Sequence, residues 1–188
     1  MKSSFKKKYN KDFMVLSIVS IILLIIMIVI TVVVRNDFYN ESRKNRYLDY
    51  GLKPDSANSA VHFDITRETY HLKDDYYLVR DDVNIFVVKL SDSENKRIKM
   101  NNFKENKTYR IYGYTKDVTD SLVDKTITEI NGLFKENILT KANYFDYMGF
   151  YFVDQSSVYK IQLVLSVVLG LLIISTSTFT ILFFQTRK

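Results

Sequence analysis

The sequence predicts a membrane protein in which two transmembrane helices flank one extracytoplasmic α+β domain with a small, mostly antiparallel sheet. Three observations lead there. Of the 188 residues, two blocks free of charge, Phe13 to Val34 and Ile161 to Phe184, hold 22 and 24. Each exceeds the ~20 apolar residues that cross a hydrocarbon core of about 30 Å at 1.5 Å per residue. The net charge of +6 is confined to the ends: residues 1–12 contribute +4 and Arg187 with Lys188 +2, while residues 35–160 balance 20 basic against 20 acidic side chains. Between the blocks, apolar spacing changes from a period of two to one of 3.6, the signature of strands followed by helices.

The first block begins after lysines, as a signal peptide does, but its apolar run is longer than the 7 to 15 residues of an h-region. It passes into Arg35-Asn-Asp37 with no small-residue cleavage site. An uncleaved anchor is therefore expected. Basic residues stay on the cytoplasmic side while long segments are translocated. The chain divides into a cytoplasmic basic tail (1–12), a span (13–34), a juxtamembrane helix and linker (35–60), an extracytoplasmic domain (61–160), a second span (161–184) and a cytoplasmic tail (185–188). This describes a two-pass protein of the cell membrane with both termini inside. The lysines beside the first span read first as a topology signal and can also attract anionic headgroups, and with two spans the lipid bilayer is the first partner. A domain of zero net charge gives no reason to expect nucleic acid.

Neither span contains Asp, Glu, Lys, Arg or His, the usual mark of an ion path or proton relay. In the second span Ser166, Gly170, Ser177 and Thr180, spaced by 4, 7 and 3, share one helical face. Small residues on a face let another helix approach closely, so these four are the expected helix-packing positions, against the first span or a second protein.

Residues 36–50 contain no helix breaker and end at Gly51, which predicts that the first helix continues outward before a linker through Pro54 to Ser59. From Val61 the period is two, with Val61, Phe63 and Ile65 opposite His62, Asp64 and Thr66, and extended segments follow at 70–72 and 76–80. Val83 to Leu90 is apolar on both faces and reads as a central strand. A turn at 91–95, a short strand at 97–100 and a strand at 108–115 complete the sheet. Thr119 then caps a helix presenting Val123, Ile127, Ile130 and Phe134. Thr140 caps a shorter helix ending at Gly149, and Phe150 to Asp154 is the last strand.

The segment 112–154 resembles a group of uncharacterised two-span bacterial membrane proteins with a small extracytoplasmic α+β domain. The matching residues are Gly113, Thr115, Lys116, Thr140, Asn143, Tyr144, Tyr147 and Gly149. The resemblance implies an architecture and supplies no activity. Composition rich in Lys, Asn, Ile and Tyr and poor in Gly and Pro fits an AT-rich bacterium and its cell envelope. In that setting the sequons at Asn40 and Asn106 are chance.

No catalytic constellation is legible. With no cysteine there is no thiol nucleophile, and the domain is held by its core alone. His62 and His71, nine residues apart across extended chain, fit no zinc spacing and read as solvated strand-face side chains. The pairs Asp74-Asp75 and Asp81-Asp82 lack the pattern of a calcium loop and read as solvated turns. No metal and no cofactor is expected. Tyrosine is abundant, at 14 residues. On the strand at 108–115, alternation places Arg110, Tyr112 and Tyr114 on one face, the candidate partner-binding surface. Its bland alternative is cover by the Val123 helix. The sequence therefore predicts a membrane-anchored extracytoplasmic accessory protein that docks a membrane or secreted protein, in an export or secretion complex or a toxin-immunity system. The alternative is a membrane-tethered enzyme acting on lipid or cell-wall precursors. A sensor is disfavoured by cytoplasmic tails of 12 and 4 residues.

Overall fold

The computed structural model describes residues 2–51, 53–81, 83–101, 103 and 107–187, with side chains for those between 11 and 185. Asp82 of the acidic turn and Asn106 of the second sequon lie outside the described residues, as do the side chains of Lys2, Lys6, Lys7, Lys8 and Arg187. The chain forms two compact units, residues 1–37 with 161–188, and residues 38–160.

The first unit is built from the two long helices, α1 (Lys2–Lys44) and α6 (Gln155–Arg187). The stretches Lys11–Lys44 and Gln155–Gln185 are long and apolar enough to cross a membrane. In α1 the more covered positions are Phe13, Ser17, Ser20, Leu24, Met27 and Thr31, and in α6 they include Leu165, Leu169, Leu172, Thr176, Phe179 and Phe183. Both rows alternate steps of four and three. That 3.5-residue period keeps one seam against an antiparallel partner with left-handed twist. Ser17 and Thr180 meet across the seam, Oγ to Oγ1 at 2.9 Å. Thr180 is the one expected packing residue seen in that contact. Ser166 and Ser177 are exposed and donate to carbonyls of their own helix, Gln162 and Ile173, and a Cβ on Gly170 would meet nothing within 4 Å. The row of α6 that faces α1 is otherwise made of leucines and phenylalanines.

The second unit is a six-stranded mixed sheet in the order β1-β5-β6-β4-β3-β2. Its strands are β1 (Ala60–Ile65), β2 (Tyr70–Lys73), β3 (Tyr76–Arg80), β4 (Ile85–Lys89), β5 (Tyr109–Asp117) and β6 (Tyr151–Asp154). Every pairing is antiparallel except β4 with β6. The ends of β1 and β3, which are not neighbours in that order, are joined where the Thr66 N–H donates to the Arg80 carbonyl at 2.9 Å. The sheet is thus curled around one face, where Val61, Phe63, Ile65, Val79, Phe86, Val88, Ile111 and Val153 form the larger core. Gly113 permits the β5–β6 approach, because a Cβ there would sit 2.5 Å from Val153 Cγ1.

The expected extension of the first helix is interrupted. It stops at Lys44, and at Asn45 the carbonyl accepts from the His62 N–H (3.0 Å) while the side chain donates to the Ala60 carbonyl (3.0 Å). A short α2 (Tyr47–Tyr50) follows, and Tyr47 is fully buried in the larger core with its hydroxyl donating to the Tyr151 carbonyl. Residues 38–60 therefore belong to the domain rather than linking it. His62 is also corrected: it is buried, with Nδ1 2.6 Å from the Ser42 carbonyl, because α1 covers that stretch of β1. His71 is exposed.

The short strand expected at 97–100 is a helix, α3 (Asp92–Lys99). Ser91 caps it, accepting from the Glu94 N–H at 3.3 Å, with acidic residues in the first turn, basic ones in the last and Ile98 buried beneath. At the other end of the domain no loop separates β6 from α6. Asp154 accepts from the Ser157 N–H at 3.0 Å and from Ser156 Oγ at 2.7 Å, capping the helix as the strand ends.

Candidate functional site

Arg110, Tyr112 and Tyr114 do share a face of β5, and their contacts there are internal. Arg110 forms a two-pronged pair with Asp64 on β1, Nε to Oδ1 at 2.7 Å and Nη2 to Oδ2 at 2.8 Å. That pair holds the Asp64 carboxyl below the ordinary carboxylate range, chiefly through the hydrogen bond from Arg110, and raises the Arg110 pKa in return. Tyr112 meets Tyr39 edge-on with ring centroids 5.2 Å apart, and Tyr114 lies 5.0 Å from Phe38. Both tyrosines are half-buried beneath the Phe38–Lys44 end of α1, which covers them in place of the Val123 helix.

That helix, α4 (Asp120–Phe134), lies over the other half of the same sheet face. Thr119 caps it as expected, and Leu122, Val123, Thr126 and Ile130 are buried against Leu72, Leu78, Val87 and Phe152. Ile127 is half-buried in that cluster. Phe134, the last member of the expected stripe, is 53% exposed. It is the last residue of the helix, which closes at Lys135 in the left-handed conformation with φ 55°.

Beyond Lys135 the chain returns through an irregular segment to α5 (Tyr144–Met148). Two asparagines fix this return. Asn131 Nδ2 donates to the Leu139 carbonyl (2.8 Å) while its Oδ1 accepts from the Leu139 N–H (2.9 Å). Asn143 Nδ2 donates to the Ile138 carbonyl (3.1 Å), and its Oδ1 accepts from the Thr140 N–H (2.7 Å) and Oγ1 (3.1 Å). Thr140 thus bonds to Asn143 rather than capping the helix directly. Leu139 is driven into the core and Ile138, one residue earlier, faces out at 43% exposure. Tyr144 anchors α5 from below, where burial pushes its hydroxyl up to about 12. Gly149, at φ 81°, ends α5 in a conformation that favours glycine.

Ile138, Phe134 and Tyr147 (64% exposed), with Val83 (81% exposed) on the β3–β4 turn, wall an apolar groove of about 240 Å³ whose floor includes Ile130, Leu139 and Met148. Beside it Phe145 and Phe150 stack at 5.3 Å with planes 12° apart. A contiguous exposed apolar surface with fixed walls marks a place where another apolar body can be buried. The residues Asn143, Tyr144, Tyr147 and Gly149, noticed in the sequence as a motif, all serve this corner. Val83, Phe134 and Ile138 were not singled out as a site. The available signal was Ile138 itself, an aliphatic residue in a polar, non-periodic segment.

The remaining motif residues are structural. Thr115 donates to the Ser56 carbonyl and accepts from the Ser59 N–H at 2.8 Å, while Lys116 Nζ reaches Asn58 Oδ1 at 2.5 Å, so both pin the 56–59 loop to β5. Asp81 closes its turn by accepting from the Val83 N–H (2.8 Å) and the Asn84 N–H (2.5 Å). Among the described residues no group of three or more His, Asp and Glu side chains could hold a metal ion. No protein-family model, curated protein or solved structure matches the chain.

Proposed function

We propose that this is a two-pass membrane protein of the cell envelope that holds its 38–160 domain on the extracytoplasmic side. There it docks an apolar segment of another membrane or secreted protein. The observation that supports this reading is the groove beside α5, whose walls are exposed yet held by the paired hydrogen bonds of Asn131 and Asn143. A partner entering it meets a surface already ordered, so little side-chain entropy is lost on binding. The spans, free of ionisable groups and packed on each other, supply anchorage rather than transport. The charge partition supports the orientation. Such a protein suits the role of an accessory subunit in an export or secretion complex, or of a protector against an incoming toxin.

The test is site-specific photocrosslinking in intact cells. A photoreactive residue at Ile138 or Tyr147 should give one adduct of defined mass, absent when the probe sits at Lys73 on β2 and lost with Phe134→Ser. Equal adducts at all three positions, or none at the groove positions, would overturn the reading.

A further inference from the structure

The turn holding Val83 and Asn84 has a second hollow on its other side. This pocket, about 330 Å³, is bounded by the start of α2, the open edge of β1 and the β3–β4 turn. It lies where the curled sheet brings the end of β1 to the end of β3, through the Thr66–Arg80 hydrogen bond. The openings of rolled sheets are favoured ligand sites, and this volume falls at the small end of the usual range of about 300–1,000 Å³.

Its floor is apolar. Tyr47 and Phe63, with ring centroids 6.0 Å apart, close the bottom, and Leu48 and Val83 stand at the sides. The charged groups that face it are Arg46, His62, Asp64 and Asp81. Three of these have engagements of their own. Both Asp64 oxygens are taken by Arg110, with Nε and Nη2 at 2.7 and 2.8 Å. Asp81 is held by the two backbone N–H groups of its turn. His62 Nδ1 donates to the Ser42 carbonyl, which can only accept. Arg46 differs from all three. It is exposed, and among the described residues no carboxylate lies within 4.0 Å of it.

The backbone fixes where that guanidinium starts. Arg46 is extended (φ −77°, ψ 138°) and bridges to His62 in parallel register, so its side chain leaves from the rim of the pocket. The N–H groups of His62 and Thr66 both point out from this edge, to Asn45 and Arg80. Alternation along a strand therefore turns the Asp64 peptide N–H to the same side, between them. The Arg46 guanidinium and the edge N–H of Asp64 line one hollow above aromatic rings. Arg46 acts on Asp64 only at longer range, since Arg110 already takes both Asp64 oxygens, and Asp81 is satisfied by backbone N–H groups rather than by a cation.

We propose that this pocket binds a small organic anion, a carboxylate or phosphate monoester with an apolar body. Arg46 pairs with the anionic head, and Tyr47, Phe63 and Val83 cover the body. The site is separate from the groove and does not depend on what docks there.

Calorimetric titration of the full chain in nanodiscs of zwitterionic lipid tests this. The probes are N-acetylphenylalanine, phenyl phosphate and, as an uncharged twin of the first, N-acetylphenylalanine amide. At least one anion should saturate at millimolar concentration or below, with the amide at least about tenfold weaker. Binding of the carboxylate alone, or of the phosphate alone, identifies the head group. Arg46→Gln should weaken the anion about tenfold or more with the melting temperature unchanged, and Arg46→Lys should recover part of the loss. If Arg46→Gln fails to fold, the contrast between amide and anion on the native chain still decides. No saturation by either anion up to about 10 mM, equal binding of the amide, or full affinity in a folded Arg46→Gln protein would overturn the proposal.

Discussion

Asn131 makes two hydrogen bonds to a single residue eight positions later: its amide nitrogen donates to the Leu139 carbonyl at 2.8 Å and its amide oxygen accepts from the Leu139 N–H at 2.9 Å. The side chain thus takes the place of a strand, satisfying both backbone groups of a buried residue in a segment with no ladder of its own. Asn131→Ala leaves those groups unpaired in the core, at a cost of about 1–3 kcal/mol. Thermal unfolding of the full chain should show the loss, and proteolysis should open the 135–143 segment first. A melting temperature equal to that of the native protein would show that water replaces the amide fully.

The Asp64–Arg110 pair makes stability depend on pH. Its folded-state carboxyl lies below the unfolded value, so the stabilisation is present above the unfolded pKa and is lost as pH falls through the folded one. Asp64 is solvent-accessible, so the contribution is modest. Denaturant titrations between pH 7 and 3 should show a shallower acid decline for Asp64→Asn than for the native chain. Parallel curves would remove Asp64 from that account.

The groove walls are exposed, so their truncation should affect docking and leave folding alone. Phe134→Ser and Tyr147→Ser are expected to change stability by no more than about 0.5 kcal/mol. Partner capture should weaken by about 1–2 kcal/mol each, as for anchoring aromatic residues. By contrast Tyr112→Ala and Tyr114→Ala, which remove rings packed on Tyr39 and Phe38, should lower the melting temperature. Wild-type melting in those two variants would return the β5 face to candidacy as a binding surface.

The hydrogen bond between Ser17 and Thr180 should couple the spans weakly. A double-mutant cycle of Ser17→Ala and Thr180→Val in micelles is expected to give an interaction energy of about 0.6 kcal/mol, in line with such bonds in lipid. Additive effects would show that leucine and phenylalanine packing along the seam acts alone.

Orientation is tested with single cysteines, since the chain has none. An impermeant thiol reagent applied to intact cells should reach a cysteine at position 93, in α3, and neither position 3 nor position 186. Labelling at either terminus would reverse or remove the proposed topology.

The two apolar blocks, the charge partition and the order of most strands were legible in the sequence because each depends on local pattern. Twenty or more apolar residues suit a bilayer whatever surrounds them, and alternation along β1 or β5 survives any choice of partner strand. Helix starts were legible for the same reason: Thr119 caps α4 by contacts within four residues. The strand expected at 97–100 failed on a signal that was also local, since Ser91 and Glu94 already spell a cap. What the tertiary structure alone decided depends on distant chain. Which side of β5 is covered was settled by Phe38 and Tyr39, some seventy residues away. Tyr47 became core because the sheet curls over it, and His62 became buried because α1 crosses β1. Phe134 and Ile138 became groove walls because α4 ends at Phe134 and Asn131 and Asn143 pin the returning chain. Exposure belongs to the assembled surface, and no periodicity within one element reports what a neighbouring element leaves uncovered.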